Sequence, residues 1–169
     1  MKGNKKKEPI SFFKGSGITD KIIFFFATWF CTGLIPFAPG TWGSLAALPF
    51  AAGAYSLGPV LSCFSLLIIF LFSIPVSGRA SKIMKREDPS PVVIDEVAGI
   101  FVTLFLIPVS WTGIGAGFVL FRIFDIIKPF PVGLIDKKIK GGAGIVLDDI
   151  MAGIYANVCL RVILFLIDK

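Results

Sequence analysis

Five acidic residues of this 169-residue chain stand where a carboxylate is hard to explain as surface. Asp95 and Glu96 are adjacent, Asp125 closes a long apolar run, and Asp148 and Asp149 are adjacent again. Carboxylates at the edge of apolar segments are costly to desolvate and need cations or water around them. A hard cation such as Mg²⁺ suits them, because it takes oxygen ligands in octahedral geometry and usually keeps several waters. The carboxylates could hold one or two such ions, and two held about 4 Å apart would clamp the attacking and leaving oxygens of an in-line phosphoryl displacement. Asp95, Glu96, Asp125, Asp148 and Asp149 are therefore the candidate metal ligands, with Asp95, Asp125 and Asp149 also the candidate catalytic carboxylates. One of the five could instead serve as general base or phospho-acceptor, and the residues leave that choice open.

Basic and hydroxyl groups complete the candidate set. Arg122, Asp125 and Lys128 are spaced i, i+3, i+6, roughly along one side of a helix end. Arg122 or Lys128 would neutralise the non-bridging phosphate oxygens in the transition state. Snorkelling to lipid headgroups is the competing role, and it fits Lys137, Lys138 and Lys140 better than the deeper Arg122. The stretch Pro39-Gly40-Thr41-Trp42-Gly43-Ser44 leads into a helix start, where free N–H groups bind anions and glycine admits a ligand close to the backbone. Thr41, Gly43 and Ser44 are accordingly candidate phosphate contacts, although helix capping would explain the same residues. Capping also competes at Asp95-Glu96 and Asp148-Asp149, since carboxylates are favoured in a first helical turn. Adjacent residues diverge by about 100° on a helix, so in the competing reading one member of each pair binds and the other caps.

Several chemistries are excluded by what is missing. The chain has no histidine, which removes histidine nucleophiles and histidine-pair lipid phosphatases. It has no Cys-x₅-Arg loop for a cysteinyl-phosphate route and no Gly-x₄-Gly-Lys-Ser/Thr loop for an NTPase. Cys31, Cys63 and Cys159 are too widely spaced for a disulfide framework or a zinc site, and are expected to be small buried apolar residues.

The elements that must carry these groups are membrane helices. The chain is 55% hydrophobic and only 17% charged, whereas a soluble globule carries about a quarter charged residues. No charged residue occurs between Lys21 and Arg79, or from Val97 to Phe121. About 20 helical residues cross a bilayer core. Turn residues divide the chain into an interfacial helix from Thr19 or Asp20 to about Cys31, then apolar helices over Ser44–Leu57, Val60–Ser81, Asp95–Ile107, Thr112–Ile127 and Ile145–Ile167. Pro108 is expected to end the third of these and Pro129 the fourth; both are short for a full crossing, so tilt or partial insertion is expected. The predicted architecture is an all-α polytopic membrane bundle of about five main apolar helices plus the N-terminal interfacial helix. Residues 1–18 form a basic tail, and 19–169 a single domain.

Charge placement orients this bundle. The basic segments are the N-terminus, Arg79 to Arg86, and Lys128 to Lys140, and the layout puts all three on one side, which the positive-inside rule makes cytoplasmic. The net charge of +6 then belongs to an anionic membrane face, not to a nucleic-acid partner. The five carboxylates fall on that same side. Gly113-Ile-Gly-Ala-Gly117, with no strand before it, reads as a small-residue packing surface, and Ala152 and Ala156 do likewise.

The stretches TGLIPFAPGTWGSLAALP, VVIDEVAGIFVTL and FRIFDIIKPFPVGLIDKKIKGGAGIVLDDIMAGI resemble the phosphatidylglycerophosphatase A family, bacterial Mg²⁺-dependent enzymes. The combination of DE-x-x-G, FR-x-FD-x-x-KP-x-P and GG-x-G-x-x-x-DD-x-x-AG covers most of the chain beyond the tail. The resemblance implies the substrate phosphatidylglycerophosphate, the products phosphatidylglycerol and inorganic phosphate, and a place in the bacterial inner (cytoplasmic) membrane among its lipids. The motif positions it carries over are Thr41, Ser44, Asp95, Glu96, Arg122, Asp125, Lys128, Asp136, Asp148 and Asp149. Two other readings compete: a small cation carrier or channel using intramembrane carboxylates, and a lipid-headgroup transferase with a second substrate site.

Overall fold

The computed structural model of the chain describes residues 17–167, so most of the expected basic tail lies outside the described residues. Every regular element among those residues is helical: α1 (Ile18–Ala27), α2 (Pro39–Ser56), α3 (Pro59–Met84), α4 (Ile94–Leu104), α5 (Trp111–Ile127), α6 (Val132–Lys138) and α7 (Gly142–Ile167), with a 3₁₀ turn at Thr32–Leu34. α2 and α3 each begin on proline, whose fixed φ suits a first helical position and whose missing N–H is not needed there. α5 starts on Ser110, whose hydroxyl accepts the Gly113 N–H at 3.0 Å. α1 begins after Gly17 rather than at a Thr19 or Asp20 cap. Asp20 instead forms an ion pair with Arg79 of α3 at 3.2 Å.

α7 is the central element, packed against α3, α4, α5 and α6. Small residues allow this. A Cβ on Gly153 would lie 2.5 Å from the Gly99 carbonyl, and one on Gly142 would lie 2.7 Å from the Gly78 nitrogen. The backbones of α4 and α3 thus touch α7 directly, as expected of packing without a hydrophobic drive between helices. Ala152 and Ala156 of α7 are fully buried. Of the predicted small-residue surface on α5, Gly117 packs against Leu104 and Leu160, while Gly115 faces open space.

α4 is shorter than Pro108 alone would make it, ending at Leu104. Asn157 of α7 donates from its amide to the carbonyls of Val102, Thr103 and Phe105 at 3.2, 2.8 and 3.0 Å. Arg161, one turn on, donates to Phe105 O at 2.9 Å and to Asn157 Oδ1 at 2.8 Å. The last carbonyls of a helix have no partner within it. These side chains from α7 satisfy them, so α4 can stop inside the bundle.

α3 and α7, at 26 residues each, are long and apolar enough to cross a membrane by length and composition. Only 28% and 22% of their apolar windows is buried, unlike the core helix of a soluble protein. Val60, Phe64, Ile68 and Leu71 of α3 and Val158, Val162 and Phe165 of α7 stand exposed. α4 and α5, the two helices expected to be short for a full crossing, have 11 and 17 residues against the roughly 20 needed. The cysteines are free, but Cys31 and Cys63 are exposed rather than buried.

Candidate active site

Three helix starts, one helix end and two loops meet around a cavity of about 310 Å³. α4 contributes Asp95 and Glu96 from its first turn, α5 contributes Asp125 from its last turn and Arg122 from the turn before, and α7 contributes Asp148 and Asp149. Lys128 follows α5 directly and also lines the cavity. It stands in the left-handed region at φ 46°, which turns the chain sharply after the helix. All five carboxylates and both cations expected at the site therefore share one space.

They divide into three groups. Asp95, Glu96 and Asp149 each present a carboxylate oxygen, and these atoms lie within 4.8 Å of one another. Arg122 Nη1 lies 2.7 Å from Asp125 Oδ2. Lys128 Nζ lies 2.6 Å from Asp148 Oδ2. Asp125 and Asp148 are thus each in contact with a cation of the chain itself, whereas among the described residues no ion pair is seen within the three-carboxylate group, which has only Arg122 beside Glu96.

That group fits a divalent cation. Asp95 and Asp149 are 7% and 4% exposed, and Asp95 Oδ1 and Glu96 Oε2 are buried with no hydrogen-bond partner. A buried polar oxygen without a partner is costly, and carboxylates this close disfavour one another's charge. A cation among them relieves both costs, and an all-oxygen donor set is the one a hard ion prefers. Asp95 and Glu96 both reach this group, contrary to the expectation that adjacent residues diverge. Their position at the helix end lets both side chains turn towards α7. The second pair does diverge, with Asp149 in the carboxylate group and Asp148 on Lys128.

The Gly-rich start of α2 is arranged differently from the expected phosphate loop. Thr41, Gly43 and Ser44 do not line the cavity; Ala38, Pro39 and Gly40 do. The Ser44 hydroxyl is buried and donates to the Gly40 carbonyl at 2.7 Å, so it is spent inside its own helix. Gly43 packs on α4, where a Cβ would lie 2.6 Å from the Val93 Cβ. Small residues at a helix start serve close packing as well as the expected anion binding or capping. The motif alone does not separate the two. Glu87, Asp88 and Lys140 also line the cavity, with Lys140 Nζ 2.9 Å from Glu87 Oε2 at the exposed rim. Their only sequence signal was membership of the two charged loops. Asp136 belongs to α6, and its side chain lies outside the described residues.

A family profile described as phosphatidylglycerophosphatase A matches residues 25–164, which include every cavity-lining residue named above. The chain belongs to the phosphatidylglycerophosphatase A family. Among relatives, the phosphatidylglycerophosphatase A of Haemophilus influenzae is 42% identical over 90 residues, 53% of this chain and 55% of that protein. The Escherichia coli phosphatidylglycerophosphatase A is 42% identical over 77 residues, 45% of each chain. A Bacteroides thetaiotaomicron protein, provisionally named a phosphatidylinositol-3-phosphatase, is 36% identical over 143 residues, 80% of this chain and 89% of that protein. The match thus spans about half the length of the Haemophilus and Escherichia family members. None of the three is named as a carrier or channel, so the carrier reading gains no support from them. No solved structure matches the chain.

Proposed function

We propose that this protein is a Mg²⁺-dependent membrane phosphatase that hydrolyses the terminal phosphomonoester of phosphatidylglycerophosphate to phosphatidylglycerol and inorganic phosphate. The observation that carries the reading is one cavity holding a largely buried three-carboxylate group beside two cation–carboxylate pairs. Relatives named as phosphatases of phospholipid headgroups support the same class of reaction. In this reading the chain is a polytopic bundle in the bacterial inner membrane, its shorter helices partly inserted, and the cavity opens to the cytoplasm beside the basic loops.

Asp95, Glu96 and Asp149 would hold Mg²⁺. Once bound, it supplies positive charge against the phosphoryl oxygens during in-line displacement. Arg122 and Lys128 bind the non-bridging oxygens, and the partly buried site makes their charge count for more than it would in water. Asp125 and Asp148 fix those two cations in place before substrate arrives, so little reorganisation is left for the reaction itself. The bond between phosphorus and the glycerol oxygen breaks, water oxygen bonds to phosphorus, and a water proton ends on the departing hydroxyl.

The headgroup is tested by offering the purified protein phosphatidylglycerophosphate and phosphatidylinositol 3-phosphate in otherwise identical vesicles. Phosphate release from the first should be faster by about tenfold or more, a difference of about 1.4 kcal/mol in transition-state binding. A preference for the inositol lipid would reassign the headgroup. Transfer to added glycerol instead of water would make the enzyme a transferase.

A further inference from the structure

We infer that Gly40 is a positioning residue: the start of α2 presses against α4 so closely that only a hydrogen fits, and this holds Glu96 in the carboxylate group. The inference rests on the metal reading proposed above. Two observations carry it. A Cβ built on Gly40 would overlap Glu96 Oε1 and lie 3.3 Å from Arg122 Nη1. One turn further along, a Cβ on Gly43 would lie 2.6 Å from the Val93 Cβ. Gly40 and Gly43 are three apart on α2, and they face Glu96 in the first turn of α4 and Val93 at its N-cap. The start of α2 is therefore matched, glycine against side chain, to the start of α4 at two successive points.

This match is itself fixed. Pro39 opens α2, and the Ser44 hydroxyl ties back to the Gly40 carbonyl. Glu96 cannot swing away on the α2 side without meeting this backbone. Its neighbours on the other side are Asp95 and Asp149, with Asp95 Oδ1 buried and without a hydrogen-bond partner. A methyl group at Gly40 would displace the Glu96 carboxylate and crowd Arg122, while leaving every ligand and cation of the site chemically present. Residues behind the ligands of a metal site typically change its affinity by about 10–100-fold.

The test uses the full chain in detergent, with Mn²⁺ as a paramagnetic probe titrated by EPR, and thermal unfolding alongside. Gly40→Ala should weaken Mn²⁺ binding by about tenfold or more. Adding Glu96→Asp, which shortens the carboxylate by one carbon, should recover much of that loss. The control is Gly117→Ala, whose Cβ would meet Leu104 Cδ2 at 2.8 Å far from the cavity. It should lower the melting temperature without changing Mn²⁺ affinity. Unchanged affinity in Gly40→Ala, or a loss that Glu96→Asp fails to relieve, overturns the inference while leaving the metal reading intact. Failure of the unaltered chain to bind Mn²⁺ overturns both. If Gly40→Ala unfolds too readily to titrate, melting temperatures decide. Its destabilisation should shrink in a Glu96→Ala background, and an undiminished effect there overturns the inference.

Discussion

Replacing Asp149 with asparagine should lower phosphate release by on the order of 10³-fold, the upper end of what losing one transition-state-stabilising group costs. Asparagine keeps the size and shape of the side chain but removes one charge from the three-carboxylate group. Asp149 is 4% exposed, so no water replaces what is lost. The same change acts in the opposite direction on the metal-free fold. Three carboxylates, two buried and one half-buried, with oxygens within 4.8 Å oppose one another, and removing one relieves that opposition. Asp149→Asn should therefore melt no lower than the parent when Mg²⁺ is absent, and should gain less stability than the parent when Mg²⁺ is added. Thermal unfolding with and without the ion checks both statements. A variant that loses activity because it is misfolded would melt lower in both conditions.

Arg122→Ala is expected to cost about 10²–10³-fold in kcat, the usual range for removing a donor aimed at developing negative charge. The guanidinium sits against Asp125 at 2.7 Å and beside Gly40 and Glu96, so its place is set from two sides. Lysine is a poor substitute, because a flexible point charge lacks the planar fork that suits phosphate and carboxylate together. Arg122→Lys should consequently recover only part of the rate. Asp125→Asn should shift activity in the same direction as Arg122→Ala, since it leaves the guanidinium without its anchor. Steady-state kinetics separate the roles. A group acting mainly in the transition state lowers kcat, whereas one that only binds the ground state raises KM.

The charged half of the site was legible in the sequence because carboxylates beside long uncharged runs need a reason to be there. Asp95, Glu96, Asp125, Asp148 and Asp149 stood out on that ground, and the structure brings all of them to one cavity. Their pairing was not legible. Lys128 reaches Asp148 only because the chain turns through a left-handed residue after α5, a backbone event that helical spacing does not describe. Spacing rules also assume mid-helix geometry, which is why Asp95 and Glu96 were expected to part at the end of α4. The role of the glycines was misread for a different reason. Anion binding and close helix packing both call for small residues at a helix start, and the choice between them depends on Val93 and Glu96, fifty or more positions away.

The fold was legible at coarse grain. Apolar runs and turn residues located every long helix, and α5 begins and ends within a residue of its predicted bounds. α2 begins five residues before its expected start, at Pro39, because proline suits a first helical position as well as a loop. α6 was hidden by its flanking prolines and its basic composition. The end of α4 depended on Asn157 and Arg161, which cap it from α7. Such long-range caps leave no local trace in the sequence.

The most direct measurement of the central claim is phosphate release from phosphatidylglycerophosphate vesicles by the purified protein, first with Mg²⁺, then with excess chelator, then with Mg²⁺ restored. The carboxylate group at Asp95, Glu96 and Asp149 predicts release with Mg²⁺, loss of nearly all of it in chelator, and recovery when the ion returns. Undiminished release in chelator would contradict the metal-assisted account.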